Sequence, residues 1–173
     1  MAIANQEMIR DNNRRQVLEY IVNNPPVSRA ALAKELHLTK ATISNIVQDL
    51  MEQNLVAEIG SAQTALGRKP ILLEFQKKCG YAFSIDVHPR QIITLISDLK
   101  GEDCHLKEYP FQEEDCLLEL LRSIIKETLP RCQNAPYGIV GISIGIYGVV
   151  RENEIIFTPV SYTHLRAHET LSD

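Results

Sequence analysis

Apolar residues between positions 28 and 50 recur every three or four residues, and this spacing occurs twice with a short break between. Such spacing places apolar side chains along one side of an α-helix. Their positions are Leu32, Ala33 and Leu36 in the first run and Ile43, Ile46 and Leu50 in the second. Ser28 and Thr39 precede the runs, and both residue types cap helices through a side-chain oxygen. The pattern predicts two short helices packed together across a tight turn that contains Leu38.

The polar side of the second predicted helix has a distinctive composition. Its side chains are mostly short, form hydrogen bonds and are uncharged or basic, which suits base edges and phosphates in a DNA major groove. They are Thr39, Lys40, Thr42, Ser44, Asn45 and Gln48. We therefore predict a helix-turn-helix whose second helix reads DNA. A plain helical hairpin with a solvated polar side is the alternative interpretation.

Two strand-like runs follow the helix pair. Residues 55–59 and 71–75 alternate in polarity, and glycine and proline punctuate the segment between them. A hairpin at this place is the wing of a winged helix, and its tip contains Arg68 and Lys69. An arginine presented this way suits a narrow minor groove, where the negative potential is strongest. A basic loop tip alone is usually just solvated, but its place after the helix pair favours DNA binding.

An additional helix is predicted at the start of the chain, from about residue 6 to residue 22. Pro25 and Pro26 end it, because proline disfavours helix at and just before its own position. The side chains expected on its buried side are Ile9, Val17, Leu18 and Ile21. Its polar side has three arginines that either touch phosphates or form a solvated basic face, namely Arg10, Arg14 and Arg15.

From residue 80 onward the pattern changes to strands. Three strands are predicted at 81–86, 91–98 and 104–110, then a helix at about 113–129, a buried strand after Pro136 and a short strand at 154–157. This order is that of one lobe of the ribonuclease-H-like, actin-like fold. The predicted fold class is α+β, a winged helix-turn-helix followed by a partial actin-like α/β lobe. We expect a DNA-binding domain at 1–78 and the partial lobe at 79–159.

Charge is divided unevenly along the chain, whose net charge is −4. Residues 1–80 contain ten Lys or Arg against eight Asp or Glu, whereas residues 81–159 contain seven against twelve. A mildly basic head on an acidic body fits a nucleic-acid-reading head with a separate regulatory body. The basic excess is too small for indiscriminate binding, so sequence-selective contacts are expected.

The cysteines and the hydropathy of the chain indicate its compartment. The four cysteines are widely spaced without a CxxC pair, which predicts reduced thiols and no zinc site. No stretch is long and apolar enough to span a bilayer, and the N-terminus lacks an apolar signal segment. We expect a cytoplasmic protein with no metal and no cofactor.

With these elements in order, the chain resembles the ROK family (repressors, open reading frames and sugar kinases) from about residue 6 to residue 159. It looks most like the transcriptional-repressor branch, which includes xylose and N-acetylglucosamine repressors. The segments that support this are ATISNIVQDL, GRKP with ILLEF, YAFSIDV, LISDLKG, and GIVGISIGIYGVV with IIFTP. No single motif is decisive, but together their order and spacing are specific.

The chain departs from the kinases of this family where they bind ATP phosphates. Those kinases have a glycine-rich turn after an aspartate, but here Asp86 is followed by Val87, His88, Pro89 and Arg90. There is no glycine, and Pro89 lacks the amide donor that a phosphate needs. We therefore expect a structural role for Asp86 and no catalytic role for His88. The glycines at 141, 145 and 148 lack the following helix of a nucleotide-binding loop, so close strand packing and a tight turn explain them at least as well.

The end of the chain also departs from the family. The segment VSYTHLRAHET, from Val160, resembles the translation of a sequencing-library adapter, so we expect residues 160–173 to be a non-native tail. By the same resemblance, the family's catalytic aspartate, zinc-binding cysteines, sugar-contacting segment and most of its dimer interface lie beyond residue 159.

The resemblance implies a homodimeric repressor of carbohydrate genes that binds operator DNA and, at full length, responds to a sugar or sugar derivative. Such a response requires that the effector prefer one of two conformations. One alternative is a ROK sugar kinase with an added DNA-binding head. Another is a winged helix that binds a protein instead of DNA.

Overall fold

A computed structural model describes the backbone of residues 2–61, 69–112, 116–151 and 154–157, and within those ranges the side chains of residues 6–148. The chain divides into two compact units, Met1–Lys77 and Lys78–Asp173. Three parts of the sequence predictions lie outside the described residues: the wing tip with Gly67 and Arg68, the acidic start of the fourth helix at 113–115, and the tail at 160–173.

The first unit has three helices, α1 (Ala2–Asn23), α2 (Arg29–Glu35) and α3 (Lys40–Glu52). The predicted helix pair is confirmed, and so are its two capping residues. Ser28 Oγ accepts a hydrogen bond from the backbone N–H of Ala31 at 3.2 Å, and Thr39 Oγ1 accepts one from that of Thr42 at 3.1 Å. Each bond satisfies one of the N–H groups that the first turn of a helix leaves without a partner.

The turn between α2 and α3 is as short as predicted. His37 has a φ of 53°, in the left-handed region that ends many helices. The backbone N–H of Leu38 donates to the carbonyl of Ala33 at 3.2 Å, so the chain reverses directly onto α2. The result is two helices whose apolar sides meet.

A small antiparallel sheet completes this unit. Its strands β1 (Val27–Ser28), β2 (Val56–Ser61) and β3 (Ile71–Phe75) lie in the order β1-β3-β2. The two wing strands are confirmed, whereas β1 was not predicted. The register of β2 against β3 shifts between Glu58 and Gly60, and Gly60 has a φ of 123° that favours glycine.

Among the described residues of the first unit, ten buried residues from the three helices and the sheet form the core. They are Val17, Ile21, Val27, Leu32, Ile43, Ile46, Val47, Leu50, Val56 and Leu73. The predicted burial of Ile9 was wrong, because its side chain is 54% exposed. The buried residues of α1 lie in its second half, and the buried side of the helix does not continue to Ile9.

The second unit is built on a mixed sheet. Strands β4 (Tyr81–Val87), β5 (Gln91–Asp98) and β6 (His105–Pro110) form an antiparallel meander, and α4 (Leu117–Cys132) leads to β7 (Ile139–Ile146), which pairs parallel to β4. The sheet order is β6-β5-β4-β7, and β8 (Val149–Arg151) pairs with β9 (Glu154–Phe157). The predicted order of three strands, a helix and a strand is confirmed.

One face of this sheet packs against α4. Phe83, Ile85 and Val87 of β4 are buried there, because alternate residues of a strand point to the same side. The buried residues of α4 are Leu117, Leu121, Ile124 and Cys132. This arrangement agrees with the helical spacing of the sequence, although α4 extends three residues beyond the predicted end.

A polar cluster on the outside joins α4 to the sheet edge. Glu127 of α4 forms an ion pair with Lys107 of β6 and accepts a hydrogen bond from Tyr109 Oη at 3.0 Å. The hydrogen bond from Lys107 holds the pKa of Glu127 below its ordinary value. All of these contacts lie within the second unit and join α4 to β6.

Candidate nucleic-acid interface

Helix α3 has one buried and one exposed side. Ile43, Ile46, Val47 and Leu50 are buried. Consecutive residues of an α-helix are about 100° apart, since one turn takes 3.6 residues. The side opposite Ile43 is therefore formed by Ala41, Asn45, Gln48 and Glu52, and Ser44 lies at its edge, about 100° from Ile43. All five residues are exposed.

The predicted DNA-contacting residues of α3 do not all occupy the same position. Lys40, Ser44, Asn45 and Gln48 are exposed, whereas Thr42 is half-buried at the edge of the exposed side. The Oγ1 atoms of Thr42 and Thr39 lie 2.8 Å apart, so these two hydroxyls are hydrogen-bonded to each other. Ala41 was absent from the predicted DNA-contacting residues, although its position in the helix places it on the exposed side. Its small side chain allows a close approach to the backbone of α3.

The far end of the exposed side of α3 has a different character. Gln48 Nε2 donates to Glu52 Oε1 at 3.0 Å, so the Gln48 amide is already hydrogen-bonded. Glu52 is exposed, and its charge opposes that of a phosphate. The part of α3 that suits DNA is therefore its first half, from Lys40 to Asn45.

The wing is joined to the helix pair through its first strand. Arg29, the first residue of α2, forms an ion pair with Glu58 of β2 at 2.9 Å. Lys69 is exposed and lies two residues before β3 begins. Arg68 lies outside the described residues, so its approach to the minor groove stays a prediction.

The arginines of α1 differ in their contacts. Arg10 Nη2 lies 2.8 Å from Asp49 Oδ2 of α3, and Arg14 donates a hydrogen bond to the side chain of Gln53. Arg15 is exposed, and the described residues offer it no ion pair. The first two arginines thus contact residues near and just after the C-terminal end of α3. The sequence interpretations, phosphate contact or a solvated face, did not anticipate these contacts.

The predicted structural role of Asp86 in the second unit agrees with its contacts. Asp86 Oδ2 lies 2.8 Å from His88 Nε2. The backbone N–H of His88 donates to the carbonyl of Gln91 at 2.9 Å, so β4 turns directly into β5 through Pro89 and Arg90. A side chain at Gly145 would place its Cβ 3.0 Å from Asp86 Oδ1, which supports the packing explanation at that glycine. At Gly141 a Cβ would meet nothing within 4 Å, so close packing does not explain it.

In the part of the chain that the structure describes, the His, Cys, Asp and Glu side chains form no group that could hold a metal ion. None of the helices in that part is long and apolar enough to cross a membrane.

Comparison with known proteins gives a consistent result. A family model described as the MarR family matches residues 12–64, a range that contains α2, α3 and β2. The chain is 38% identical over 168 residues to the xylose repressor of Bacillus spizizenii, covering 93% of this chain and 43% of that protein. It is 35% identical over 165 residues to the xylose repressor of Bacillus subtilis, again covering 93% of this chain and 43% of the relative.

More distant relatives agree. The chain is 22% identical over 150 residues to the DNA-binding transcriptional dual regulator NagC of Escherichia coli, covering 86% of this chain and 37% of that protein. A crystal structure of a ROK family transcriptional regulator, a homologue of the E. coli MLC protein, has the same fold, with a TM-score of 0.62 and 23% identity. That match covers 92% of this chain and 41% of the other. The predicted resemblance to ROK repressors is confirmed, and the chain spans less than half the length of these relatives.

Proposed function

We propose that this chain is the DNA-binding part of a transcriptional repressor of carbohydrate uptake or metabolism genes. The observation that carries the proposal is the exposed side of α3, which presents Lys40, Ser44 and Asn45 from a helix whose opposite side is buried. The similarity to proteins named xylose repressors supports it. We take the DNA-binding domain as residues 1–78 and the partial lobe as 79–159.

The residues of the interface have different roles in this proposal. Ser44 and Asn45 select bases through hydrogen bonds in the major groove. Thr39 and Lys40 bind phosphate at the start of α3, where the helix dipole favours an anion. Thr42 stabilises the first turn of α3 through its contacts with Thr39. Gln48 reaches a base only if its hydrogen bond to Glu52 breaks.

The wing has an electrostatic role in the proposal. Arg68 and Lys69 approach the minor groove and act mainly through charge, which increases affinity for any sequence. Lys69 lies two residues before β3, and β2, the strand that pairs with β3, is joined to α2 by the Arg29–Glu58 pair, which supports this assignment.

The remaining features concern the full-length protein. We propose that it is a cytoplasmic homodimer that binds a sugar or sugar derivative, and that this effector changes operator affinity. The names of the relatives make xylose the first effector to test. Dimerisation fits DNA recognition because the two subunits of a symmetric dimer bind the two half-sites of an operator together.

A non-enzymatic role is part of the proposal. The ROK sugar kinase remains the alternative, and it requires backbone amides that approach ATP phosphates after Asp86. Pro89 supplies no amide, and the direct turn from β4 into β5 leaves no glycine loop there. A hexose-dependent turnover of ATP by the purified chain, lost in Asp86→Ala, would support the kinase instead.

The experiment that tests DNA recognition is selection from a random duplex pool by the purified chain. The proposal predicts that repeated rounds enrich one sequence motif, and that Asn45→Ala changes the preference at one position within it. Binding that never distinguishes among sequences would contradict the proposal and favour a winged helix that binds protein.

A further inference from the structure

Helix α1 lies beside α3, and two side-chain contacts join α1 to the C-terminal end of α3. Arg10 Nη2 donates to Asp49 Oδ2 at 2.8 Å, and Arg14 donates to Gln53 Oε1. The two arginines are four residues apart, as are Asp49 and Gln53, so the contacts are repeated one turn along both helices.

A groove of about 550 Å³ runs between the two helices next to these contacts. From α3 it is lined by residues that include Thr42, Asn45 and Asp49, and from α1 by residues that include Arg10 and Asn13. The Asp49 carboxylate therefore borders the same groove as Asn45, a residue to which we assign base reading.

The charge of Asp49 conflicts with DNA binding at this place. Duplex DNA has one negative charge for about every 1.7 Å of its axis, so a carboxylate beside the reading side of α3 meets a dense row of like charges. The Asp49 side chain is 34% exposed and the Arg10 side chain 72% exposed. An ion pair this accessible to solvent contributes little to stability, so Arg10 matters more for the local charge than for folding.

We propose that Arg10 is a positioning residue of the DNA interface, which acts on DNA binding by neutralising the Asp49 carboxylate beside the exposed side of α3. The inference rests on the proposed DNA-binding function. This role differs from a direct contact between Arg10 and a phosphate, because the effect of Arg10 on DNA binding depends on the charge at position 49.

The test is a double-mutant cycle on the full chain, with a duplex that the wild-type chain has enriched from a random pool. Arg10→Ala should weaken binding about twofold to fivefold, the effect of one exposed charge near a few phosphates in water. Asp49→Asn should not weaken binding, since it removes the negative charge that repels the phosphates. In the Asp49→Asn background, Arg10→Ala should change affinity by less than about twofold, and the melting temperature of each variant should stay close to that of the wild type.

Arg15→Ala is the matched control, because Arg15 lies on the same helix but does not contact Asp49. Its effect, whatever the size, should be the same with and without Asp49→Asn. If Arg10→Ala weakens binding equally in both backgrounds and lowers the salt slope by about one in each, Arg10 contacts phosphate directly and the inference is overturned. If Arg10→Ala leaves binding unchanged or lowers the melting temperature strongly, it is also overturned. A wild-type chain that enriches no sequence would overturn the proposed function as well.

Discussion

Thr39→Ala should destabilise the first turn of α3, and the structure allows the size of this effect to be worked out. Thr39 Oγ1 accepts the backbone N–H of Thr42 at 3.1 Å, and its side chain is exposed, so the substitution removes a cap without leaving a cavity. Loss of such a cap costs about 1 kcal/mol, within a range of about 0.5–2 kcal/mol. For a unit of this size, that cost lowers the melting temperature by about 4–8 °C.

The measurement is thermal unfolding followed by far-ultraviolet circular dichroism, together with hydrogen exchange of the peptide that contains α3. We expect faster exchange at the start of α3 in Thr39→Ala, because the opening of this turn becomes easier. Thr39→Ser is the control, since it keeps the accepting oxygen and should stay within about 0.5 kcal/mol of the wild type. If Thr39→Ala and Thr39→Ser are equally stable and exchange equally, the hydroxyl does not cap α3 and the reasoning fails.

Two further predictions compare paired substitutions. Asn45→Ala should relax base preference at one position and cost about 1–3 kcal/mol of binding free energy on the preferred duplex. It should change the salt slope, the dependence of log affinity on log salt concentration, very little. Lys69→Ala should instead weaken binding to all duplexes and lower the magnitude of that slope by about one. Anisotropy titrations over a range of salt concentrations measure both quantities, and identical profiles for the two variants would contradict the assigned roles. Gly80→Ala should destabilise the second unit by about 1–3 kcal/mol, because its Cβ would lie 2.7 Å from Val140 Cγ1. Gly141→Ala meets nothing within 4 Å, so denaturant unfolding should show a clearly smaller loss of stability, and equal losses would refute the packing argument.

The elements that the sequence predicted correctly are those that depend on local physics. Helical spacing and capping side chains are properties of a few neighbouring residues, so α2 and α3 could be placed from Ser28, Thr39 and the apolar positions between them. Strand alternation placed β2 to β6 for the same reason. Strand β1 has only two residues, Val27 and Ser28. It exists because it pairs with β3, which no local pattern could indicate.

The details that the sequence did not predict depend on tertiary contacts. The spacing in α1 suggested that Ile9 is buried, but burial needs a neighbouring element. Among the described residues of α1, those buried in the core are Val17 and Ile21, in the second half of the helix. The pairing of Arg10 with Asp49 joins residues 39 positions apart. The positive charge of Arg10 alone could not show whether its partner is a phosphate or a carboxylate of this chain. By contrast, Gln48 and Glu52 are one helical turn apart, and their hydrogen bond could have been anticipated.

The central claim, that the first half of α3 reads DNA, is tested most directly by nuclear magnetic resonance during titration with the selected duplex. We predict that amide signals from Thr39 to Asn45 and at Lys69 shift on binding, and that signals of β4 to β7 do not. A duplex with a scrambled sequence should cause smaller shifts at Ser44 and Asn45, because it offers the wrong base edges. If α3 signals do not respond to DNA, or respond identically to both duplexes, α3 is not the reading helix.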